Sequence, residues 1–406
     1  MNRREALTML AALPFAARLG AQTRPTPNHR VFLGPGHGLF LGPDGRLQSY
    51  SMDIGRGEAA PAADYLGLGD ERPVDHFTLY PVAIPSGVVA AAASGSASFA
   101  VLADGRVLAW GATGSGELGI TPLSEFETRA QPRPRTNMPT AVAVSIDAVD
   151  ISSKADHVLA LSRDGGVYAW GRGDGGQLGM GPLPTVAFKT RSARVEPFVP
   201  YPVRIPDLAN VTALATGNRH SLALLKDGTV LGWGFNRFGQ VGDGTTMNRD
   251  RPIAVAGVRN AVAISAGWDF SLAVLADGTV MDWGATYGNP TPRPKAALVP
   301  GARGIRTAVA GGSHVAAITT TNGVMTWGNN AHYETARPGS INAAGLVRGL
   351  EGVRSVAVAD GTNIVVLESG RMMTWGEVRP WTRPGNGGAE LSPFPILLWL
   401  DGLDQP

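Results

Sequence analysis

Histidine is the residue type of this sequence with the clearest potential for chemistry, because imidazole nitrogens bind metal ions and transfer protons. The chain has seven histidines, and four of them occupy one repeated position: His37, His157, His220 and His314. The same position holds Ala97, Phe270 and Thr362 in three further copies. A metal site needs ligands that converge on one ion, whereas equivalent positions of separate repeats lie apart. The pattern therefore predicts structural histidines that are hydrogen-bonded to neighbouring backbone, and no metal site.

An aromatic residue follows each of these seven positions at a constant spacing. The set consists of Tyr50, Trp110, Trp170, Trp233, Trp283, Trp327 and Trp375. Aromatic side chains can bind sugars, but one large ring at the same place in every copy is typical of packing between structural units. We therefore expect these rings in the core and not in a ligand site.

Carboxylates also recur, and they could suggest calcium binding or acid–base catalysis. Each of five aspartates precedes a glycine between two apolar runs: Asp44, Asp104, Asp164, Asp227 and Asp277. Asp-Gly is a favoured pair in tight hairpin turns, which explains these acids fully. Paired catalytic carboxylates, a nucleophile elbow and a phosphate-binding loop are not apparent. The sequence thus predicts no catalytic residue, no cofactor and no metal.

The element that positions these residues is a β-hairpin. "HSLALLKDGTVLGWG", His220 to Gly234, has two short apolar runs around an Asp-Gly turn. A lone hairpin is marginally stable in water, so the seven copies must pack on one another. Runs rich in Val and Ala, and proline-led segments such as "YPVRIP" at Tyr201, precede the hairpins and supply two more strands per unit.

Seven units of four strands predict an all-β fold, a seven-bladed β-propeller. The aromatic residues are spaced 44 to 63 residues apart, which leaves room for four strands in each blade. The first unit, from Val31, lacks a preceding proline-led strand, whereas "SPFPILLWLDGL" at residues 392–403 has that pattern with nothing after it. We therefore expect the C-terminal strand to join the N-terminal blade and to close the ring.

The N-terminal segment is of a different kind. Arg3-Arg4 precedes an apolar run from Ala6 to Ala17, and small residues follow at 19–21. This predicts a twin-arginine export signal over 1–21, a short linker over 22–30 and a single propeller domain over 31–406. An ordinary secretory signal or an uncleaved anchor are the alternatives. The run is too short to span a bilayer, so the expected location is periplasmic or secreted, without stable membrane insertion.

Composition excludes several classes of function. The chain has no cysteine, which excludes disulfides, thiolate catalysis and cysteine zinc sites. Among 35 basic and 33 acidic residues, Arg3, Arg4, Arg18 and Glu5 lie in the signal. Their removal leaves equal numbers of each charge, so no strong positive field exists for nucleic acid.

The repeat resembles that of the regulator of chromosome condensation family. "GNRHSLALLKDGTVLGWGFNRFGQVGDGT", Gly217 to Thr245, is similar to the family unit, and the likeness extends over about 31–403. The closing segment "GELG", "GQLG" or "GQVG" is present after Trp110, Trp170 and Trp233 and is missing in the last three units. The resemblance implies a seven-bladed propeller. It also points to exported bacterial members, among them a β-lactamase inhibitor built on this propeller.

Irregular insertions between the units are the best candidates for function, because the repeat itself is a scaffold. Long loops are predicted at 57–79, 121–139 and 182–200, in three consecutive units on one side of the ring. They carry the aromatic and basic residues that protein interfaces favour. The predicted partner-binding residues are Tyr65, Phe77, Phe126, Arg129, Arg133, Phe188, Lys189, Arg191 and Phe198.

Together these features favour an exported, non-enzymatic binding protein, monomeric, that presents its loops to a protein partner and not to nucleic acid. One alternative is an inhibitor of an extracytoplasmic enzyme. The alternative of another class is a propeller enzyme, a lyase or hydrolase that acts on cell-wall polymers, because a fold alone does not exclude catalysis.

Overall fold

The computed structural model describes most of the predicted propeller. The described residues are 30–34, 37–51, 66–70, 78–95, 97–112, 114–120, 135–183, 197–285, 291–337, 342–378 and 391–398. They form 28 strands in seven antiparallel sheets of four. In this part of the chain no helix is long and apolar enough to cross a membrane. The all-β class, the seven blades and the four strands per blade are confirmed.

Each blade consists of four strands that are consecutive along the chain. Blade 1 comprises β1 Arg30–Leu33, β2 His37–Leu41, β3 Leu47–Ser51 and β4 Tyr80–Pro81. Blade 2 comprises β5 Val88–Ala93, β6 Ala97–Leu102, β7 Val107–Ala112 and β8 Arg135–Ala141. Blade 3 comprises β9 Ala148–Ser153, β10 His157–Ser162, β11 Val167–Arg172 and β12 Phe198–Arg204.

Blades 4 to 7 repeat this order. Blade 4 comprises β13 Val211–Thr216, β14 His220–Leu225, β15 Val230–Gly234 and β16 Arg249–Ala254, and blade 5 comprises β17 Ala261–Ala266, β18 Phe270–Leu275, β19 Val280–Gly284 and β20 Ala297–Leu298. Blade 6 comprises β21 Ile305–Ala310, β22 His314–Thr319, β23 Val324–Gly328 and β24 Gly345–Leu346. Blade 7 comprises β25 Val353–Val358, β26 Thr362–Leu367, β27 Met372–Glu377 and β28 Leu391–Leu397.

The strand order defines two faces of the ring. First strands of neighbouring blades contact one another, so they are innermost, around the central channel. The Asp-Gly turns and the passages between blades lie at one end, which we call the turn face; there the Ile305 amide donates to Gly278 of the preceding turn at 2.9 Å. The opposite end, the loop face, carries the connections from first to second and from third to fourth strands.

Ring closure differs from the sequence-based prediction. The C-terminal strand β28 pairs with β27 and is the outer strand of blade 7, whereas β4 completes blade 1. The prediction was wrong because each proline-led segment ends its own blade and does not begin the next one. Blades 7 and 1 instead meet through side chains, with β1 against β25 and a buried cluster that includes Tyr50, Ile364 and Leu398.

Neighbouring blades are joined by a repeated inter-blade hydrogen-bond chain. Between blades 4 and 5, His220 Nε2 lies 2.9 Å from Ser271 Oγ, and that hydroxyl donates to the Gln240 carbonyl at 2.8 Å. The indole of Trp283 donates to the same carbonyl at 2.9 Å. Because the serine proton is used on Gln240, His220 carries its proton on Nε2. The repeated histidine is therefore structural: Nε2 meets a side chain of the next blade, and the ring also has a backbone hydrogen-bond partner, Phe270 for His220.

The same chain joins blades 3 and 4 through His157, Ser221, Gln177 and Trp233. Burial keeps these imidazoles neutral, because it lowers the pKa of His220 to about 3 and that of His157 to about 4. All six repeated tryptophans are fully buried, which confirms their predicted role in packing. The core therefore lies between blades, as separate clusters around the ring.

The closing segment of the repeat is retained in blade 6, where the sequence pattern predicts that it is missing. Glu334 has the role of Gln240, since its carbonyl accepts the Trp375 indole N–H at 2.8 Å and the Asn363 amide at 3.0 Å. Tyr333 and Ala336 replace the two glycines and keep their left-handed backbone, with φ of 64° and 50°. The prediction that this segment is missing was wrong for blade 6, because the backbone conformation persists without glycine.

Candidate functional site

The three long connections share one face of the ring. Each joins a third strand to a fourth: β3 ends at Ser51 before β4, β7 ends at Ala112 before β8, and β11 ends at Arg172 before β12. Third strands run toward the loop face, so all three connections begin and end there. Blades 1, 2 and 3 are adjacent, which places the ends of the connections in one sector of this face.

The predicted partner-binding residues lie mostly outside the described residues. These are Tyr65, Phe77, Phe126, Arg129, Arg133, Phe188, Lys189 and Arg191. Phe198 is described, and it begins β12 with 6% of its surface exposed. Its ring packs beside Gly116, where an added Cβ would lie 3.2 Å from its Cδ2 atom. Phe198 therefore belongs to the core and not to an exposed contact surface.

The boundaries of the predicted loops also change. Residues 135–139 belong to β8 and residues 198–200 to β12, so both loops are shorter than predicted. In the first loop, Leu66 is fully buried and its carbonyl accepts the Ser49 hydroxyl at 2.7 Å. Part of that insertion is thus framework that packs on its own blade.

At the centre of the loop face, Lys154 crosses the channel. It follows β9 of blade 3, and its Nζ donates to the carbonyls of Ala266, Ala310 and Gly311 at 2.7, 2.8 and 3.2 Å. These carbonyls belong to blades 5 and 6. Lys154 as a whole is half-buried, but its ammonium group is surrounded by protein. This desolvation lowers the pKa of Lys154 to about 8 despite the nearby Asp360 carboxylate. One side chain thus ties three blades together across the channel.

Trp268 stands beside this lysine, with 47% of its surface exposed. Its backbone links blades 4, 5 and 6, because it donates to the Gly312 carbonyl at 3.1 Å and accepts from the Asn218 amide at 3.3 Å. Its indole lies on Gly312, where an added Cβ would come within 3.1 Å of Cε2. Trp268 is therefore an exposed aromatic ring held in a fixed position.

Asp360 completes the centre of this face. Burial raises its pKa, while Lys154 and the side-chain N–H of Trp268 partly oppose that rise. Burial likewise raises the pKa of Asp269, the residue after Trp268. Asp360 thus interacts with the fixed indole and with a lysine that is already bonded, so the centre of the face is polar.

A second polar group lies where blades 3 and 4 meet. Asp174 accepts hydrogen bonds from Arg172 Nε at 2.9 Å and from Arg219 Nη2 at 2.7 Å. Burial opposes ionisation, but these two arginines lower the pKa of Asp174 overall. The Arg219 guanidinium lies 4.7 Å from the centre of the Phe235 ring. Arg172 and Asp174, the two charged residues of the sequence Arg172-Gly173-Asp174, are therefore both engaged within the fold.

A model of the RCC1-like domain matches residues 21–340 of the chain, more than half of its length. The chain belongs to the RCC1-like family. The guanine nucleotide exchange factor SRM1 of Saccharomyces cerevisiae is 33% identical over 180 residues, which cover 43% of this chain and 34% of that protein. The alignment therefore spans about a third of that relative.

Solved structures show the same RCC1-like fold. Human WBSCR16 superimposes with a TM-score of 0.66 at 20% identity, over 83% of this chain and 91% of that one. Yeast RCC1 (Prp20), from its complex with Kap60, superimposes with a TM-score of 0.65 at 17% identity, over 84% and 82%. At these identities the likeness shows the fold alone.

Three residues at the centre of the loop face were not identified from the sequence. Lys154, Trp268 and Asp360 all lie in the short connections between first and second strands. The sequence could have pointed to them, because these connections differ from one unit to the next and read "SKAD", "AGWD" and "VADG", whereas the strands that follow are regular. Within the described residues, no group of three His, Asp or Glu side chains is arranged to hold a metal ion.

Proposed function

We propose that this RCC1-like propeller is a non-enzymatic binding protein that presents its loop face to a protein partner. The observation that carries the proposal is the placement of the loop ends. All three long connections start from the loop face of adjacent blades, and the exposed Trp268 lies at the centre of the same face. Aromatic and arginine side chains on a rigid support favour tight protein contacts.

The family comparison supports a protein partner. The yeast RCC1 structure holds Kap60, so a protein that contains this fold binds another protein in that case. SRM1 is named a guanine nucleotide exchange factor. The residues shared through the repeat are framework residues, so we do not extend the exchange activity to this chain.

The described polar residues favour binding over catalysis. Acid–base catalysis needs a titratable group that is free to meet a substrate. Here Asp174 is held by Arg172 and Arg219, and the Lys154 ammonium is bonded to three carbonyls. These groups therefore stabilise the ring and leave recognition to the connections.

Export of the chain is part of the proposal. It rests on Arg3-Arg4 and the short apolar run that follows, which lie outside the described residues. Periplasmic or secreted material should carry the protein, and Arg3→Lys with Arg4→Lys should retain it in the cytoplasm. Unchanged fractionation of this double variant would exclude the twin-arginine route.

A pull-down with matched loop variants tests the proposed function. One variant replaces residues 121–134 and 184–196 with short Gly-Ser linkers, which leaves β8 and β12 intact. The control replaces residues 286–290 and 338–341, the corresponding connections of blades 5 and 6. Envelope proteins captured by the wild type and the control, but lost with the first variant, support the proposal. Equal capture by all three proteins contradicts it.

A further inference from the structure

Arginines on the turn face fall into two groups. In blades 1 to 3 they are neutralised by neighbouring aspartates, as in Arg106–Asp104 at 2.8 Å and Arg204–Asp164 at 2.8 Å. Arg163 pairs with Asp147 in the same way at 3.2 Å. Exposed pairs of this kind contribute little to stability, but they cancel the local positive charge.

The turn face of blades 5 to 7 has less of this cancellation, although Arg303 interacts electrostatically with Asp277. Six exposed arginines occur here among the described residues, including Arg354 and Arg371. The other four, which we call the arginine patch, are Arg259, Arg303, Arg306 and Arg348. None of them forms an ion pair within 4.0 Å with a carboxylate of the described residues. Three acids share this sector, Asp277, Glu351 and Glu368, so the positive charge is reduced but not balanced.

These arginines lie in three successive passages between blades and at the start of β21, all on the turn face. Arg303 leads into β21, whose first residue, Ile305, is bonded to the Asp277-Gly278 turn of blade 5. Arg306 is the second residue of β21, and its Nη2 lies 3.4 Å from the Val353 carbonyl at the start of blade 7. Arg306 therefore sits beside the channel, next to the exposed Arg354 of the neighbouring strand.

Apolar side chains border the arginine patch. Leu298 and Leu346 occupy equivalent register positions in the outer strands of blades 5 and 6, opposite Met281 and Met325. They are 62% and 57% exposed. Leu346 and Arg348 flank the buried Val347, so both point outward from the same strand end. Exposed leucine next to unpaired arginine is a composition that protein interfaces use.

We infer that the arginine patch, with Leu298 and Leu346, binds an acidic amphipathic segment of a protein partner. Guanidinium groups form bidentate hydrogen bonds with carboxylates, which a row of Glu or Asp would supply. The leucines favour a protein over nucleic acid, because a phosphate backbone offers them no apolar contact. The interspersed Glu351 and Glu368 also repel a continuous line of phosphates more than a spaced set of carboxylates. This surface is on the opposite face from the loops of the proposed function and is independent of it.

Fluorescence anisotropy tests the inference with defined probes. The probe is a fluorescein-labelled peptide of repeated Glu-Glu-Leu triplets, and the competitors are a Gln-Gln-Leu peptide, duplex DNA and phosphatidylserine vesicles. The patch variant combines Arg303→Glu with Arg348→Glu. The matched control combines Arg106→Glu with Arg163→Glu, which makes the same charge change on the same face of blades 2 and 3. All four side chains are exposed, so the melting temperatures should agree within about 2 °C.

We expect the wild type and the control to bind the acidic peptide with similar affinity, and the patch variant to bind at least about tenfold more weakly. Leu298→Ser with Leu346→Ser should also weaken binding, and raising the salt from about 50 to about 300 mM should weaken it further. Equal loss in the patch variant and the control, no binding by the wild type, or tighter binding of DNA or vesicles than of the peptide would each overturn the inference.

Discussion

The inter-blade hydrogen-bond chain leads to a quantitative prediction for Ser271→Ala. The substitution removes one hydroxyl that is fully buried between blades 4 and 5. That hydroxyl accepts from His220 Nε2 at 2.9 Å and donates to the Gln240 carbonyl at 2.8 Å. Its loss leaves the His220 N–H without a partner, whereas the Gln240 carbonyl keeps the Trp283 indole at 2.9 Å.

The expected cost follows from these two bonds. A lost neutral hydrogen bond costs about 1 kcal/mol, and a buried donor left without a partner costs a further 1–3 kcal/mol. Ser271→Ala should therefore lower the free energy of unfolding by about 2–4 kcal/mol. Ser369→Ala, an exposed change of the same kind, should stay within about 0.5 kcal/mol of the wild type.

Blade 5 supplies the second mutation of a double-mutant cycle, because Phe270 occupies the repeat position of His220. Each ring lies on a glycine, Gly217 for His220 and Gly267 for Phe270, so His220→Phe has a precedent in this fold. In the His220→Phe background, Ser271→Ala removes only the bond to Gln240 and should cost about 1 kcal/mol. The coupling between the two positions should then be about 1–3 kcal/mol.

Urea unfolding followed by tryptophan fluorescence measures all four proteins of the cycle, since the repeated indoles are buried. The far-ultraviolet circular dichroism signal should give the same midpoint if the transition is two-state. A coupling below about 0.5 kcal/mol would refute the reasoning, because the histidine and serine would then act independently.

Three further predictions follow from particular contacts. Gly242→Ala should lower the free energy of unfolding by more than about 3 kcal/mol, because φ of Gly242 is 81° and the new Cβ would lie 2.7 Å from Trp283 Nε1. Gly244→Ala, where φ is 86° and the space around the glycine is open, should lower it by only about 1 kcal/mol. Similar urea midpoints for the two variants would contradict this prediction. Burial lowers the pKa of Lys154 to about 8, below the 10.5 of an exposed lysine, so the unfolded chain holds the extra proton between these values. The stability of the wild type relative to Lys154→Met should therefore rise as pH increases from 8 toward 10, and a flat difference would exclude the shift. Deleting residues 391–406 removes β28 and Leu398 from the junction of blades 7 and 1, and calorimetry should show a melting temperature lower by more than about 5 °C; a smaller change would show that this strand does not support the ring.

Sequence patterns were sufficient where the interaction is local or is repeated in every unit. An Asp-Gly pair between two apolar runs forms its turn within a few residues, so each hairpin could be recognised without knowledge of its neighbours. Repetition then assigned Trp233 and its equivalents to the core, and His220 to a structural role, because one ion cannot collect ligands from separate blades. The number of blades followed from counting these units.

The tertiary structure decided what depends on contacts between units. A proline-led strand has the same sequence at the end of one blade as it would have at the start of the next, so only pairing with β27 revealed where β28 belongs. Glu334 replaces Gln240 through its carbonyl and through its side chain, which accepts the His332 amide as Gln240 accepts the Phe238 amide. The segment was missed because Tyr333 and Ala336 stand where the other units have glycine. Lys154 and Ala310 are far apart in the chain and meet only because the ring closes around the channel. Sequence thus determined the repeating blade, whereas curvature of the ring determined which irregular residues share a face.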